Sequence, residues 1–327
     1  MSSFDYNNIN LVPKKCIVDS RSQCQTHVQL GNHVFALPII PANMECTIDQ
    51  SLAESLAKQD YFYIMHRFNI NIKEFIRHMQ SQQLFTSISI GVNDDSYELL
   101  LELSDQELIP DFITIDIAHG HSVKMQIMIN FIRAQPKLKN CFLICGNVST
   151  PKAVYDLIQW GADCIKVGIG PGSACTTYPA TGFGSRDIQA SVVQECAKIA
   201  DQYNIPIIAD GGIRQPCDIS KSIVLGARMV MIGGMLSGFN DSPGKLVNVD
   251  GKMFREFYGS ASSFSVDSTG QPKQKHIEGK KQLIEYKNTS LFDYYLYLQQ
   301  CLQSAISYGG GTTLESLRQV QYIIKSN

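Results

Sequence analysis

The sequence predicts an α/β fold, a (β/α)8 barrel, from three observations. Short apolar runs alternate along the chain with segments of helical periodicity. Most runs lack the polar alternation of a half-exposed strand, as expected for parallel strands that are buried on both faces. Glycines and polar residues end the runs, and loops at the carboxyl ends of barrel strands build active sites. A doubly wound parallel sheet is the alternative that periodicity alone does not exclude.

Eight apolar runs are predicted strands, and eight segments are predicted helices. The strands are Val34–Met44, Phe62–Arg67, Phe85–Gly91, Phe112–Gly120, Cys141–Val148, Cys164–Gly170, Ile205–Gly212 and Met229–Met235. The helices are Ile48–Gln59, Ile72–Gln82, Ser96–Leu103, Val123–Arg133, Pro151–Gln159, Ile188–Ala200, Cys217–Leu225 and Leu291–Ser307. Residues 239–290 break this rhythm, which predicts an irregular lid above the strand ends. We therefore expect one barrel domain over residues 1–327, with 239–290 as the lid.

Composition and charge limit the classes of function. The 327 residues include 28 basic and 30 acidic side chains, so no broad positive field attracts nucleic acid or anionic lipid. The ten cysteines are scattered and form no CxxC pair, which argues against structural zinc and is typical of free thiols in a reducing compartment. No segment resembles a signal peptide or reaches transmembrane length. We expect a cytoplasmic protein that binds neither nucleic acid nor membrane.

The segment Gly168–Gly184, GIGPGSACTTYPATGFG, follows the sixth predicted strand. Its glycines permit tight turns that expose peptide dipoles. The carbonyls of such a loop could coordinate a monovalent cation, and its amides could face a phosphate. Cys175 is predicted at the tip of the loop, where an exposed thiol is a candidate nucleophile. A small buried cysteine beside a structural turn is the alternative.

Two further segments end predicted strands with polar residues or glycine pairs. ADGGIR (209–214) and MIGGM (231–235) match the phosphate site common at the seventh and eighth strands of barrels. Asp210 could accept hydrogen bonds from the two hydroxyls of a ribose, and Asp116 of IDIAHGHS is a second such candidate. His119 and His121 of the same segment lack a third metal ligand, so a metal site is disfavoured. Lys166 is predicted to lie on a strand, with Schiff-base chemistry as a minor alternative.

These segments together resemble the inosine monophosphate dehydrogenase and guanosine monophosphate reductase family. The matching motifs occur in the order of the family: PANME (41–45), IDIAHGHS (115–122), GNVST (146–150), GIGPGSACTT (168–177), ADGGIR (209–214), GGMLSG (233–238), FYGSAS (257–262) and IEGKK (277–281). The resemblance spans nearly the whole chain. It is specific, because unrelated barrels share only the glycine-rich phosphate ends.

Two departures distinguish the branches of this family. The dehydrogenases usually carry a regulatory CBS module after the second strand, whereas here FYIMHRFNINIKEF (62–75) continues without an insert. The dehydrogenase flap also carries an Arg-Tyr pair that activates water, and residues 262–275 contain none. The loop CTTYPATGFG (175–184) is similar to that of the shorter bacterial reductases. The resemblance therefore favours the reductase branch, with a dehydrogenase that lacks its CBS module as the alternative.

The resemblance implies NADPH-dependent conversion of GMP to IMP and ammonia by a homotetramer. Cys175 would attack the purine C2 to form a thioimidate, and Thr177 and Glu278 would assist ammonia departure, with Glu285 as a nearby rival acid. The implied GMP site comprises Ser173, Asp210, Gly212, Gly233, Gly234, Ser260, Ala261 and Ser262. The implied cofactor site comprises Asp116, Asn204, Ile205, Pro206, Ile207, Ile208, Ala209, Asp210, Gly211, Gly212 and Ala227. The carbonyls of Gly170 and Gly172 would hold a monovalent cation, K+.

Overall fold

The computed structural model describes residues 3–259 and 281–325. The strands are β1 (Ile9–Leu11), β2 (Val28–Leu30), β3 (His33–Phe35), β4 (Ile39–Pro41), β5 (Ser87–Ile90), β6 (Phe112–Asp116), β7 (Phe142–Val148), β8 (Cys164–Val167), β9 (Ile207–Asp210), β10 (Met229–Ile232), β11 (Leu246–Val249), β12 (Lys252–Phe257), β13 (Gln282–Glu285) and β14 (Tyr322–Ile324). The helices are α1 (Gln50–Ala57), α2 (Ile72–Ser81), α3 (Asp94–Asp105), α4 (Val123–Ala134), α5 (Pro151–Trp160), α6 (Thr177–Thr181), α7 (Gln189–Gln202), α8 (Pro216–Val224) and α9 (Leu291–Tyr308). Short 3-10 helices lie at Tyr6–Asn8, Arg21–Gln23, Gly234–Leu236 and Leu314–Gln319.

The central sheet curls into the predicted (β/α)8 barrel. Seven parallel strands are hydrogen-bonded in the order β4-β10-β9-β8-β7-β6-β5. Each lies inside a run that the sequence predicted as a strand, and helices follow the strands as expected. α5 illustrates the local causes: Thr150 accepts the Ala153 N–H at 3.2 Å as the capping residue, Pro151 occupies the first turn, and Gly161 ends the helix with a left-handed φ of 113°.

The second predicted strand departs from a regular ladder. Phe62–Met65 is fully buried, but only Met65 pairs with β5, at Ile88. The phenol of Tyr63 takes the place of the next backbone pair. Its hydroxyl donates to the Phe85 carbonyl at 3.0 Å and accepts the Ser87 N–H at 3.3 Å. The Tyr63 side chain thus satisfies the Phe85 carbonyl, just before β5, and the Ser87 N–H, at its start, which a regular ladder would otherwise pair.

The amino-terminal end of the barrel is closed by the β2–β3 hairpin. Phe35 of this hairpin packs on Phe62 at 4.9 Å between ring centroids and on Phe85 at 5.2 Å. Phe62 in turn contacts Phe112, which begins β6, at 4.9 Å. Aromatic rings at the starts of the strands therefore fill this end of the barrel with apolar surface. The opposite end, where the strands finish, is left to the loops.

The described part of the predicted lid, residues 239–259 and 281–290, is more regular than the sequence predicted. Within the predicted lid, β11, β12 and β13 form a three-stranded antiparallel sheet. The prediction of an irregular segment missed these strands because they are short and mostly half-exposed, and their sequences lack a continuous apolar run. β1 and β14 also pair, in a separate two-stranded antiparallel sheet. Over residues 3–259 and 281–325, helices are all too short or too polar to cross a membrane.

Candidate active site

The glycine-rich loop leaves the barrel at the end of β8. Gly168 is required there, because its φ is 149° and an added Cβ would lie 2.0 Å from the Asp210 carbonyl oxygen. The chain can therefore pass against the end of β9 only without a side chain at this position. The buried amide of Gln189 ties the two strand ends together, since its Nε2 donates to the carbonyls of Val167 at 2.9 Å and Asp210 at 3.3 Å.

Cys175 and Thr177 are adjacent in this loop. The Cys175 thiol donates to Thr177 Oγ1 at 3.3 Å, and the Cys175 N–H donates to the Gly172 carbonyl at 3.1 Å. Cys175 is half-buried, whereas Thr177 is buried at the start of α6. The thiol is accessible and a hydroxyl lies within reach of it, which is the arrangement expected of a nucleophile with a neighbouring proton relay.

The loop packs against the glycine pairs that end β9 and β10. A Cβ built on Gly211 would lie 3.1 Å from the Gly172 nitrogen, and one built on Gly212 would lie 3.5 Å from Pro171 Cβ. A Cβ built on Gly234 would lie 3.7 Å from the Ser173 hydroxyl oxygen. The structure therefore brings the Cys175 loop and both glycine pairs together at one end of the barrel.

A charged network connects the ends of β6, β8 and β9 at this face. Lys166 Nζ lies 2.8 Å from Asp116 Oδ1 and 2.7 Å from Asp210 Oδ2. Asn43 Nδ2 donates to Asp116 Oδ2 at 2.9 Å, and Asn147 Nδ2 donates to Asp210 Oδ2 at 2.7 Å. Both carboxylates that the sequence singled out are thus held by one buried ammonium and by amides.

Lys166 and Asp116 stay charged in this network despite their burial. Burial alone would lower the pKa of Lys166, but the carboxylates of Asp116 and Asp210 outweigh it and raise the pKa above its ordinary value. Burial alone would raise the pKa of Asp116. The Lys166 ammonium, a hydrogen bond from Asn43 and the charge of Arg67 outweigh that cost and hold the pKa below its ordinary value.

A small apolar cluster joins the lid to the site. Cys46, Ala174 and Phe257 are buried together, with Ile284 packed against them. The Cys46 thiol donates to the Tyr258 carbonyl at 3.1 Å and accepts the Tyr258 N–H at 3.3 Å. Through these contacts, the loop after β4, the Cys175 loop and the lid sheet form one support around the site.

The predicted cofactor residues are divided between the two ends of the barrel. Asp116, Asp210, Gly211 and Gly212 lie at the carboxyl ends of the strands, beside the Cys175 loop. Asn204–Pro206 precedes β9 and Ala227 precedes β10, so these residues lie at the opposite end. Ile207, Ile208 and Ala209 are buried within β9. A dinucleotide at the catalytic face can therefore contact the first group, and the structure does not bring the others to it.

Some predicted site residues fall outside the part of the chain that the structure describes. These are Ser260, Ala261, Ser262 and Glu278. The rival acid Glu285 ends β13 and is exposed. Of the two predicted cation-binding carbonyls, that of Gly172 already accepts the Cys175 N–H.

The two histidines of IDIAHGHS do not form a metal site. His121 Nε2 lies 2.8 Å from Asp156 Oδ2, and its ring is close to that of Trp160. His119 is exposed. Within residues 3–259 and 281–325, side chains of His, Cys, Asp and Glu nowhere gather in threes as a metal would require.

Two open cavities, of about 570 and 330 Å³, lie at the amino-terminal end of the barrel. In the larger one, Arg133 is committed to the protein, since it pairs with Asp163 and donates to the Gly161, Lys139 and Cys141 carbonyls. Arg133 therefore has a structural role in this cavity. We place the site at the other end of the barrel, where the Cys175 loop lies.

Sequence reasoning missed several residues of the site. Asn43 and Asn147 were indicated only as polar residues at strand ends, and Cys46 and Gln189 were not singled out. Each acts through a contact with a distant part of the chain. Lys166 carried a usable indication, because a charged residue inside an apolar strand needs buried partners. For the others, only tertiary structure reveals the partner.

The barrel, the glycine-rich loop and the paired strand-end carboxylates define a class: a (β/α)8-barrel enzyme with an accessible cysteine, hydrogen-bonded to a threonine, at its carboxyl face. The family model described as "IMP dehydrogenase / GMP reductase domain" matches residues 3–327. GMP reductases from Bacillus anthracis and Bacillus subtilis (strain 168) are 50% and 48% identical over 325 residues, covering 99% of this chain and 96% of each relative. The GMP reductase of Mycoplasma mycoides is 47% identical over 99% of this chain and 98% of its own length. The chain belongs to the IMP dehydrogenase/GMP reductase family.

Proposed function

We propose that this protein is a GMP reductase that uses NADPH to convert GMP to IMP and ammonia. The observation that supports this proposal most directly is the Cys175–Thr177 pair, in which the thiol lies 3.3 Å from a buried hydroxyl. By resemblance, this is the loop whose cysteine attacks the purine in the family. Relatives named GMP reductase that match over 99% of the chain support the reductase branch. So does the short connection from Met65 to α2, which leaves no room for a CBS module.

The GMP site in this proposal lies between the Cys175 loop and the glycine pairs. Asp210 accepts the ribose hydroxyls: its Oδ2 is held by Lys166 and Asn147, while Oδ1 takes part in neither bond. The exposed Ser173 and the backbone amides at Gly212, Gly233 and Gly234 face the phosphate, because amides exposed by glycine turns favour an anion. The resemblance adds Ser260, Ala261 and Ser262, which lie outside the described residues, to the proposed GMP site.

Cys175 supplies the nucleophile. Its thiolate forms a bond to the purine C2, and the C2 amine leaves as ammonia, giving a thioimidate. An amine leaves readily only when protonated, so a proton must be delivered. Thr177 passes this proton, and Glu278 is the acid behind it. After hydride reaches C2, the Sγ–C2 bond breaks, and the thiolate returns with release of IMP.

NADPH supplies the hydride in this scheme. The carboxylate of Asp116 is 23% exposed and is held at both oxygens by Lys166 and Asn43. A fixed acceptor beside the Cys175 loop suits a nicotinamide ribose, so the residues present fit the group. Asp116 with Gly211 and Gly212 forms our proposed cofactor site. A K+ ion at the Gly170 and Gly172 carbonyls and a homotetramer remain predictions from the resemblance. A cytoplasmic location remains a prediction from the composition.

The test is a pair of reactions followed by reduced-nicotinamide absorbance. We expect absorbance to fall with GMP and NADPH, with one ammonia released per NADPH consumed, and to stay constant with IMP and NAD+. A rise in the second mixture would instead identify a dehydrogenase without its CBS module. Replacing NADPH by NADH tests the cofactor, and omitting K+ tests the cation. Mass measurement in solution tests the tetramer.

A further inference from the structure

Lys166 is a fully buried lysine that the proposed reaction leaves without a role. It lies on β8, where its side chain is 2% exposed. In the sheet register, Asp116 pairs with Gly146 and Gly146 pairs with Lys166, so the three residues form one row across β6, β7 and β8. A Cβ at Gly146 would lie 2.5 Å from Lys166 Cβ. The glycine therefore leaves room for the lysine side chain to reach across to Asp116.

The ammonium of Lys166 uses all of its hydrogen-bonding capacity within the protein. Its Nζ contacts Asp116 Oδ1 at 2.8 Å, Asp210 Oδ2 at 2.7 Å and Met231 Sδ at 3.7 Å. An ammonium has three donors, and these three partners account for them. A charged amine with no donor left does not form a Schiff base and does not contact a substrate. Its effect must pass through the two carboxylates.

We propose that Lys166 is a positioning residue that holds Asp116 and Asp210 in their nucleotide-binding orientations, so that the affinities for both GMP and NADPH depend on this single side chain. The inference rests on the proposed function, which assigns Asp210 to the GMP ribose and Asp116 to the cofactor. Two carboxylates this close repel one another unless a cation stands between them. Without Lys166, one carboxylate must turn away or take up a proton, and its bonds to a ribose change.

The test is Lys166→Met, which keeps an unbranched side chain one atom shorter than lysine and removes the charge. We expect KM for GMP and KM for NADPH each to rise roughly tenfold or more, the scale of hydrogen bonds to charged groups, while kcat changes less. The control is Lys152→Met on α5, an exposed lysine paired with Asp156 four residues later. Its kinetic constants should equal those of the wild type.

The pH dependence distinguishes positioning from a merely structural charge. The groups that face Lys166 are Asp116, Asp210 and Met231, with Arg67 as a further cation acting on Asp116. In Lys166→Met, a proton shared by the carboxylates replaces the lost cation at low pH. We expect KM for GMP in this variant to decrease as the pH is lowered, beyond any change in the wild type.

A double variant provides a second test of the positioning role of Lys166. In Lys166→Met/Asp116→Asn, Asp210 no longer faces a like charge and keeps its bond from Asn147. We expect KM for GMP to return towards the wild-type value while KM for NADPH stays high. The double variant also serves as the test if Lys166→Met fails to fold, because it buries one charge less.

Three results would overturn the inference: a folded Lys166→Met protein with unchanged KM values, a fall in kcat alone, or no recovery of KM for GMP in the double variant. Failure of the proposed function looks different, because the wild type itself would then not reduce GMP. In that case, the Kd values of GMP and NADPH for wild type and Lys166→Met, measured by calorimetric titration, test the role of Lys166 separately.

Discussion

Replacing Gly146 by alanine should destabilise the fold through Lys166. The added Cβ would lie 2.5 Å from Lys166 Cβ and 2.8 Å from the Lys166 carbonyl oxygen. Carbon atoms pack at about 3.5 Å, so the overlap is about 1 Å. β7 and β8 are hydrogen-bonded on both sides of this row and cannot simply separate. Overpacking alone costs about 1–3 kcal/mol, and a buried ammonium pulled from its partners costs about 3–5 kcal/mol. We expect a loss of about 3–5 kcal/mol.

The measurement is thermal denaturation of Gly146→Ala beside wild type, with the midpoint expected to fall by roughly 6 °C or more. The control is Gly309→Ala at the end of α9, where the nearest atom to an added Cβ is a Val320 methyl at 3.0 Å that can yield. Its midpoint should stay within about 2 °C. A Gly146→Ala midpoint equally close to wild type would show that the sheet absorbs the methyl group and would refute the reasoning.

Three further predictions concern Cys175, Cys46 and His66. Cys175→Ala should lower GMP turnover about a thousandfold or more while leaving the Kd of GMP within a few-fold, measured by steady-state kinetics and titration. Cys46→Ala removes both bonds to Tyr258 at the base of the lid, so KM for GMP should rise roughly three- to tenfold. Burial lowers the pKa of His66 to about 4, and its Nδ1 accepts the Phe68 N–H. An unfolded histidine protonates near 6.5, so the unfolded state takes up the proton first as pH falls. The free energy of unfolding should therefore decrease by about 3 kcal/mol at most as the pH falls from 6.5 to 4. In urea denaturation at each pH, His66→Gln should show a smaller decrease than the wild type.

Each of these predictions has a matched comparison. Cys217→Ala, an exposed cysteine on α8, should leave turnover intact, and full activity in Cys175→Ala would rule out the thioimidate. Cys46→Ser can keep both bonds and should retain the wild-type KM; an equal rise in the serine and alanine variants would point to packing instead. For His66, the same pH slope in His66→Gln and wild type would assign the loss to other groups.

The sequence allowed the barrel and the glycine-rich turn around Cys175 to be predicted because both depend on local patterns. Buried parallel strands are continuous apolar runs, and each predicted run contains the strand or bridge found there. The glycines around Cys175 indicate a turn from the local sequence alone, without knowledge of the tertiary structure. The role of Tyr63 was not predictable in this way. Its hydroxyl replaces a backbone pair only because β5 lies beside it, and a single sequence does not give that distance.

The supports of the site escaped prediction for the same reason. Lys166 joins carboxylates from two other strands, and Cys46 bonds to a residue in the lid, far along the chain. The short lid strands were missed because half-exposed antiparallel strands of four to six residues show little alternation to detect. Patterns in the chain thus indicate where chemistry occurs, whereas the bonds that orient it depend on the register between strands.

The strand order of the barrel has a consequence for synthesis on the ribosome. β4 is the first barrel strand to be made, yet its ladder partner is β10, the last. Until β10 emerges, the nascent chain carries an apolar strand with unpaired backbone edges, a species prone to aggregation. Joining segments so distant in sequence also makes closure of the ring slow, since the entropy of a long loop must be lost first. We therefore expect the ring to close late in translation, with β4 the strand most in need of a chaperone until then.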